Sequence, residues 1–177
     1  VRRLVVLLCA ALAAGCSNDA AVPPPVTTAP AAAAPAPPPA AAGNVLTMTL
    51  DGKPWKADRE IFGAFDPPGM ARRLIMAGSF GPKDANEQTF NLNVAGVDKP
   101  GRYVVRTREA SVGNAAQVAN LSRERYLVGG ALGFDVTVDV DVLARNPTRI
   151  DARFSGTLTA NDGATVVVAD GRFRYSE

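Results

Sequence analysis

An all-β domain is predicted for residues 44–177, either an antiparallel β-sandwich or an open, lipocalin-like barrel of about 8–10 strands. Three observations predict it. Apolar residues recur with period two rather than 3.6, the apolar runs are short, and turn-forming residues punctuate them at close intervals. No stretch of ten or more residues carries a convincing amphipathic helical stripe, a turn around 83–88 apart, and there is no internal repeat of solenoid or propeller period. A domain of this length can bury about two thirds of its unfolded surface without disulfides.

The clearest strand alternates Phe134, Val136, Val138, Val140 and Val142 with Asp135, Thr137, Asp139 and Asp141, so one face is apolar and the other acidic. The next alternates Ile150, Ala152, Phe154 and Leu158 with Arg149, Asp151, Arg153, Ser155 and Thr157. Arg145-Asn146-Pro147 between them is turn chemistry and makes the pair an antiparallel hairpin. Setting Val142 opposite Ile150 places Asp139 opposite Arg153 and Asp141 diagonal to Arg149 and Arg153. Further strands are read at 47–50, 60–65, 73–80, 89–94, 101–105, 116–121 and 165–175. Asp51-Gly52, Pro67-Pro68-Gly69, Gly81-Pro82, Lys99-Pro100-Gly101 and Asn161-Asp162-Gly163 supply the turns between them.

Residues 1–15 have the three parts of a secretory signal: Arg2 and Arg3, an apolar run over 4–12, and the small residues Ala13 to Gly15. The run falls short of the roughly 20 residues that span a bilayer, and no later segment approaches that length. Leu12-Ala13-Ala14-Gly15-Cys16 resembles the lipobox of bacterial lipoproteins, with Ala13 where Leu is most usual. The resemblance implies a diacylglycerol on the Cys16 thiol and cleavage just before it. Ser17, at the sorting position of such proteins in Gram-negative cells, implies the periplasmic face of the outer membrane. Residues 16–43 then read as the lipidated cysteine and a disordered linker, almost wholly Pro and Ala, with eight of the chain's 14 prolines. In polyproline II conformation, at about 3.1 Å per residue, it would hold the domain up to roughly 80 Å from the lipid.

Composition removes whole chemistries. The chain has two cysteines and no histidine. Cys9 leaves with the signal and Cys16 takes the lipid, so the domain has no thiol, disulfide or cysteine ligand. Ser-His-Asp and Cys-His catalysis, histidine zinc sites and an imidazole base are excluded. Ser79, in Ala77-Gly78-Ser79-Phe80-Gly81, has neither the spacing of a nucleophile elbow nor a base. Gly129, Gly130 and Gly133 precede a strand where a dinucleotide loop precedes a helix. No enzyme, no cofactor and no metal are expected.

Asp135, Asp139 and Asp141 are read as one solvated face neutralised by arginine, with a calcium site or a catalytic carboxylate pair as the alternatives. Arg102, Arg106, Arg108, Arg123 and Arg125 are read as ordinary surface charge, although such a cluster could meet anionic lipid, lipopolysaccharide or glycan. A net charge of +2 speaks against a nucleic-acid partner. Trp55, Tyr103 and Phe173 are core residues in a sandwich; in a barrel with an open end they become the candidate ligand-binding residues lining its cavity.

The segments Asp51-Gly52-Lys53-Pro54-Trp55-Lys56-Ala57, Gly101-Arg102-Tyr103, Phe154-Ser155-Gly156-Thr157 and Asp170-Gly171-Arg172-Phe173 are similar to those of a group of uncharacterised bacterial lipoprotein domains of antiparallel β structure. That resemblance implies fold and envelope location and carries no catalytic residue. The expected function is a membrane-anchored, non-enzymatic binding or interaction module with an envelope protein or glycan as partner. The alternatives are a carrier of small apolar ligands with a lipocalin-like cavity, and a carboxylate-dependent hydrolase of envelope glycan using Asp135, Asp139 or Asp141.

Overall fold

The computed structural model describes residues 43–66, 72–107 and 113–177. The expected signal peptide, Cys16, the expected linker up to residue 42, the expected turn at Pro67-Pro68-Gly69 and Arg108 lie outside the described residues.

The described residues form eleven strands: β1 (Val45–Leu50), β2 (Lys53–Lys56), β3 (Arg59–Phe65), β4 (Leu74–Phe80), β5 (Gln88–Val94), β6 (Gly101–Arg106), β7 (Ala115–Ala119), β8 (Leu127–Gly129), β9 (Phe134–Ala144), β10 (Arg149–Thr159) and β11 (Thr165–Ser176). They pair into two antiparallel sheets, β2-β1-β11-β10-β9-β6 and β3-β4-β5-β7-β8. Each sheet keeps two edge strands and neither closes, so the architecture is the sandwich and not the lipocalin-like barrel. β2 and β8 are the strands that periodicity misses. With four and three residues they are too short to show alternation, and β2 buries a single side chain, Trp55.

Asp51 and Gly52 both have positive φ, 48° and 75°, the two-residue type I′ geometry that joins twisted strands β1 and β2. At 83–88 the chain makes a turn, in which Asp84 Oδ1 accepts the Asn86 N–H at 2.7 Å. Asp139 does lie opposite Arg153, but Val142 faces Asp151 and Ile150 faces Leu143. β9 carries one extra residue between Val140 and Val142, a β-bulge that shifts the register beyond it.

Alternate side chains of both sheets meet in one core that includes Leu46, Trp55, Leu74, Leu92, Val138 and Phe173, all at most 4% exposed. Phe90 of β5 stacks on Phe154 of β10 across the sandwich, with centroids 5.3 Å apart and planes at 13°. Phe154 in turn lies over Gly171, its partner on β11, where a Cβ would collide with the ring and with the Phe154 carbonyl. Among the described residues no helix is long and apolar enough to cross a membrane.

Candidate functional site

A cleft of about 470 Å³ opens where four connections meet at one end of the sandwich. The β1–β2 hairpin contributes Asp51 and Trp55, the ends of β4 and β5 contribute Phe80 and Gln88, the β7–β8 connection Leu121, Ser122, Glu124 and Arg125, and the β10–β11 turn Asp162. β2 exists as a strand because Lys53 to Lys56 pair with β1, which points Trp55, opposite Met48, inward. The indole sits between Phe80 and Phe90, at centroid distances of 6.0 and 6.2 Å. Its Nε1 donates to Gln88 Oε1 at 2.9 Å, and Gln88 Nε2 donates to the Leu121 carbonyl at 3.3 Å. The floor is thus aromatic and apolar, with one amide held in place from both of its ends.

The rim is charged, with the carboxylates of Asp51, Glu124 and Asp162 against Lys53 and Arg125. Arg125 donates from Nε to Asp162 Oδ2 at 2.9 Å and from NH1 to Asp51 Oδ2 at 3.2 Å, tying three connections together. Asp51 Oδ1 also accepts the Val167 N–H at 2.9 Å. The Ala164 N–H and then the Arg125 guanidinium hold the Asp162 carboxyl below its usual range, and the hydrogen bond to Asp162 pushes Arg125 up. Ser122 Oγ donates to Glu124 at 3.1 Å and accepts the Arg125 N–H at 3.1 Å, so this hydroxyl closes its own loop. An apolar floor, a few fixed polar groups and a preformed shape are the features of a small-ligand site.

Trp55 forms part of this cleft, whereas Tyr103 and Phe173 do not. Phe173 is fully buried and stacks on Tyr175 at 6.3 Å. Tyr103 is half-buried on β6, and its hydroxyl donates to the Lys99 carbonyl at 2.7 Å. A sandwich has no lumen for the three to share. Phe80, Gln88 and Leu121 have no local signal in the sequence, because the cleft is assembled from segments far apart along the chain.

The acidic face has arginine partners from both neighbouring strands, β6 and β10. Asp139 pairs with Arg102 of β6 at 2.7 and 3.1 Å, Asp141 takes both Nε and NH2 of Arg153 at 2.9 Å, and Asp135 accepts Arg106 Nε at 2.8 Å. The hydrogen bond from Arg102 holds the Asp139 carboxyl below its ordinary range. Among the described residues no three acidic groups converge as a metal site. A scan against family models and searches of curated proteins and of solved structures each found no match to this chain.

Proposed function

We propose that the chain is a lipid-anchored bacterial envelope lipoprotein, held through Cys16 at the periplasmic face of the outer membrane, whose β-sandwich is a non-enzymatic binding module. The observation that carries the reading is the succession of Arg2-Arg3, the apolar run, Leu12-Ala13-Ala14-Gly15-Cys16 and the Pro/Ala spacer, which together make an anchor and a tether. The Trp55 cleft supports the binding role. Asp135, Asp139 and Asp141 each accept hydrogen bonds from an arginine, an arrangement that favours the ionised carboxylate over the protonated form a general acid needs and so favours binding over the hydrolase alternative. One apolar core fills the space between the sheets among the described residues, which favours a surface site over a lipocalin-like cavity.

Growth with labelled palmitate, followed by fractionation and salt washing, tests the anchor. Wild type incorporates label and stays in membranes against salt, while Cys16→Ser incorporates none and either accumulates as precursor or is released in soluble form. An unlabelled wild type that washes off in salt, or a processed Cys16→Ser that stays as tightly bound as wild type, overturns the reading. Trp55, the only tryptophan, reports on the cleft by its fluorescence. A ligand that binds there shifts its emission, and Phe80→Ala weakens that ligand.

A further inference from the structure

We propose that the outer face of the five-stranded sheet is a second binding site, a flat platform for one strand of an uncharged glycan bearing hydroxyl and acetamido groups. It is separate from the Trp55 cleft and does not rest on it.

The two outer faces of the sandwich differ sharply in charge. On the six-stranded sheet, β6, β9, β10 and β11 expose arginines and aspartates paired across strands. None of β4, β5, β7 and β8 contains an Asp, Glu, Lys or Arg. Among the described residues the ion pairs of this sheet involve β3 or lie beyond the ends of these four strands: Arg59 with Glu87 at 3.1 Å, Glu60 with Lys83 at 3.2 Å, and Arg73 with Asp66 at 3.4 Å. A solvated sheet face normally carries charge for solubility, so a neutral one in a chain with 19 basic and 17 acidic residues calls for a cause.

The polar groups on this face are uncharged: the hydroxyls of Ser79 and Thr89 at one end and the amides of Asn91, Asn93 and Gln117 along the middle strands. Asn91 of β5 lies between Ala77 of β4 and Gln117 of β7, and Asn93 lies between Ile75 and Ala115. The Oδ1 atoms of Asn91 and Asn93 are shielded and accept no hydrogen bond. A shielded acceptor without a partner costs stability, and β-branched residues would suit these central-strand positions better. Rotation about χ2, a soft torsion, turns each amide outward to offer a donor pair and an acceptor together. That is the complement of vicinal hydroxyls or of an acetamido group.

Size and charge select the occupant. The four uncharged strands, about 4.8 Å apart, with up to three outward rows about 7 Å apart along them, make a neutral field of roughly 300–400 Å². A stable protein interface needs about 800 Å² per partner, so the neutral field is too small to hold a second copy or another folded protein. Its lack of charge gives nothing to phosphate or to an anionic lipid surface. A single sugar chain fits: the small side chains of Ala77 and Ala115 let rings lie against the sheet, and Phe62 at the β3 edge, 49% exposed, presents an apolar surface to a ring's C–H face.

Calorimetric titration of the full chain with chitotetraose, an uncharged β-1,4-linked tetramer of N-acetylglucosamine, and with cellotetraose tests the proposal. At least one of them binds saturably. Asn91→Ala combined with Asn93→Ala weakens binding at least tenfold, Ala77→Glu abolishes it, and Asp139→Asn on the opposite sheet leaves it unchanged. Circular dichroism confirms that each variant is folded, and the two amide and charge variants fail independently. The proposal is overturned if neither sugar binds, or if Phe80→Ala in the cleft removes binding that the asparagine variant keeps. It is also overturned if sedimentation shows a wild-type dimer that Ala77→Glu dissociates, since the face would then be an interface between copies.

Discussion

Replacing Gly171 with alanine adds one methyl group at a tightly closed point of the core. The new Cβ would lie 2.5 Å from Phe154 Cε2 and closer still to Cδ2 and to the Phe154 carbonyl oxygen. Carbon atoms pack at about 3.5–4.0 Å, so something must move by an ångström or more. The ring cannot swing away, because Phe90 of the other sheet stacks on it at 5.3 Å, and the carbonyl belongs to strand β10 itself. Overpacking of this kind costs about 1–3 kcal/mol, and a site closed on both sides falls in the upper part, about 2–3 kcal/mol. With an unfolding entropy of about 2.1 cal/mol/K per residue, a domain of this size loses about 7–11 °C in Tm. The clash is with a particular ring, which makes it testable by a cycle. Phe154→Ala costs about 3–5 kcal/mol by itself, but in that background Gly171→Ala should cost at least about 1 kcal/mol less than in wild type, because only the carbonyl contact remains. Urea titrations followed by far-ultraviolet circular dichroism and Trp55 fluorescence give each free energy from midpoint and slope. A Gly171→Ala protein within about 0.5 kcal/mol of wild type, or strictly additive single and double variants, would refute the reasoning.

Two further predictions concern the charged face and the edge of the second sheet. Arg102 lowers the folded pKa of Asp139, so this carboxylate stabilises the fold fully above its unfolded value of about 3.9 and loses that contribution as pH falls through the lower folded value. Urea midpoints at pH 5 and at pH 2.5 should therefore fall further apart for wild type than for Asp139→Asn, and equal differences would show that the pair carries no such linkage. Gly129 has φ 82°, and a Cβ there would strike the Ala116 carbonyl of β7. Gly129→Ala should cost about 2 kcal/mol or more and unpair β8, seen as faster hydrogen exchange at the Val118 and Asn120 amides, which face β8; unchanged protection there would count against the assigned β7–β8 register.

Much of the fold is legible because alternation is a local property. Asp135 to Val142 show two faces whatever they pair with, and the Asp51-Gly52 pair announces its turn, since both residues tolerate the positive φ that the hairpin requires. The bulge in β9 is hidden because Val142 and Leu143 are both apolar, so either can face the core and the pattern reads equally well in both registers. The Asp170-Gly171 pair resembles a turn signal but lies inside β11, where Asp170 has φ 54° and Gly171 makes room for Phe154. No local rule foretells that use of glycine, because the group needing the space is on the neighbouring strand.

By itself the sequence determined an all-β domain, its strand faces, the absence of thiol and imidazole chemistry from that domain, and the expectation of a lipid anchor at Cys16. The tertiary structure decided that the sheets stay open as a sandwich, that Trp55 separates from Tyr103 and Phe173, that Phe80, Gln88 and Arg125 join it around a cleft, and that one outer face is charged and the other neutral. The division has a physical cause. Side-chain period and turn chemistry act over a few residues, whereas closure, clefts and faces depend on which distant strands pair, and that is set by the combined packing of both sheets in one core.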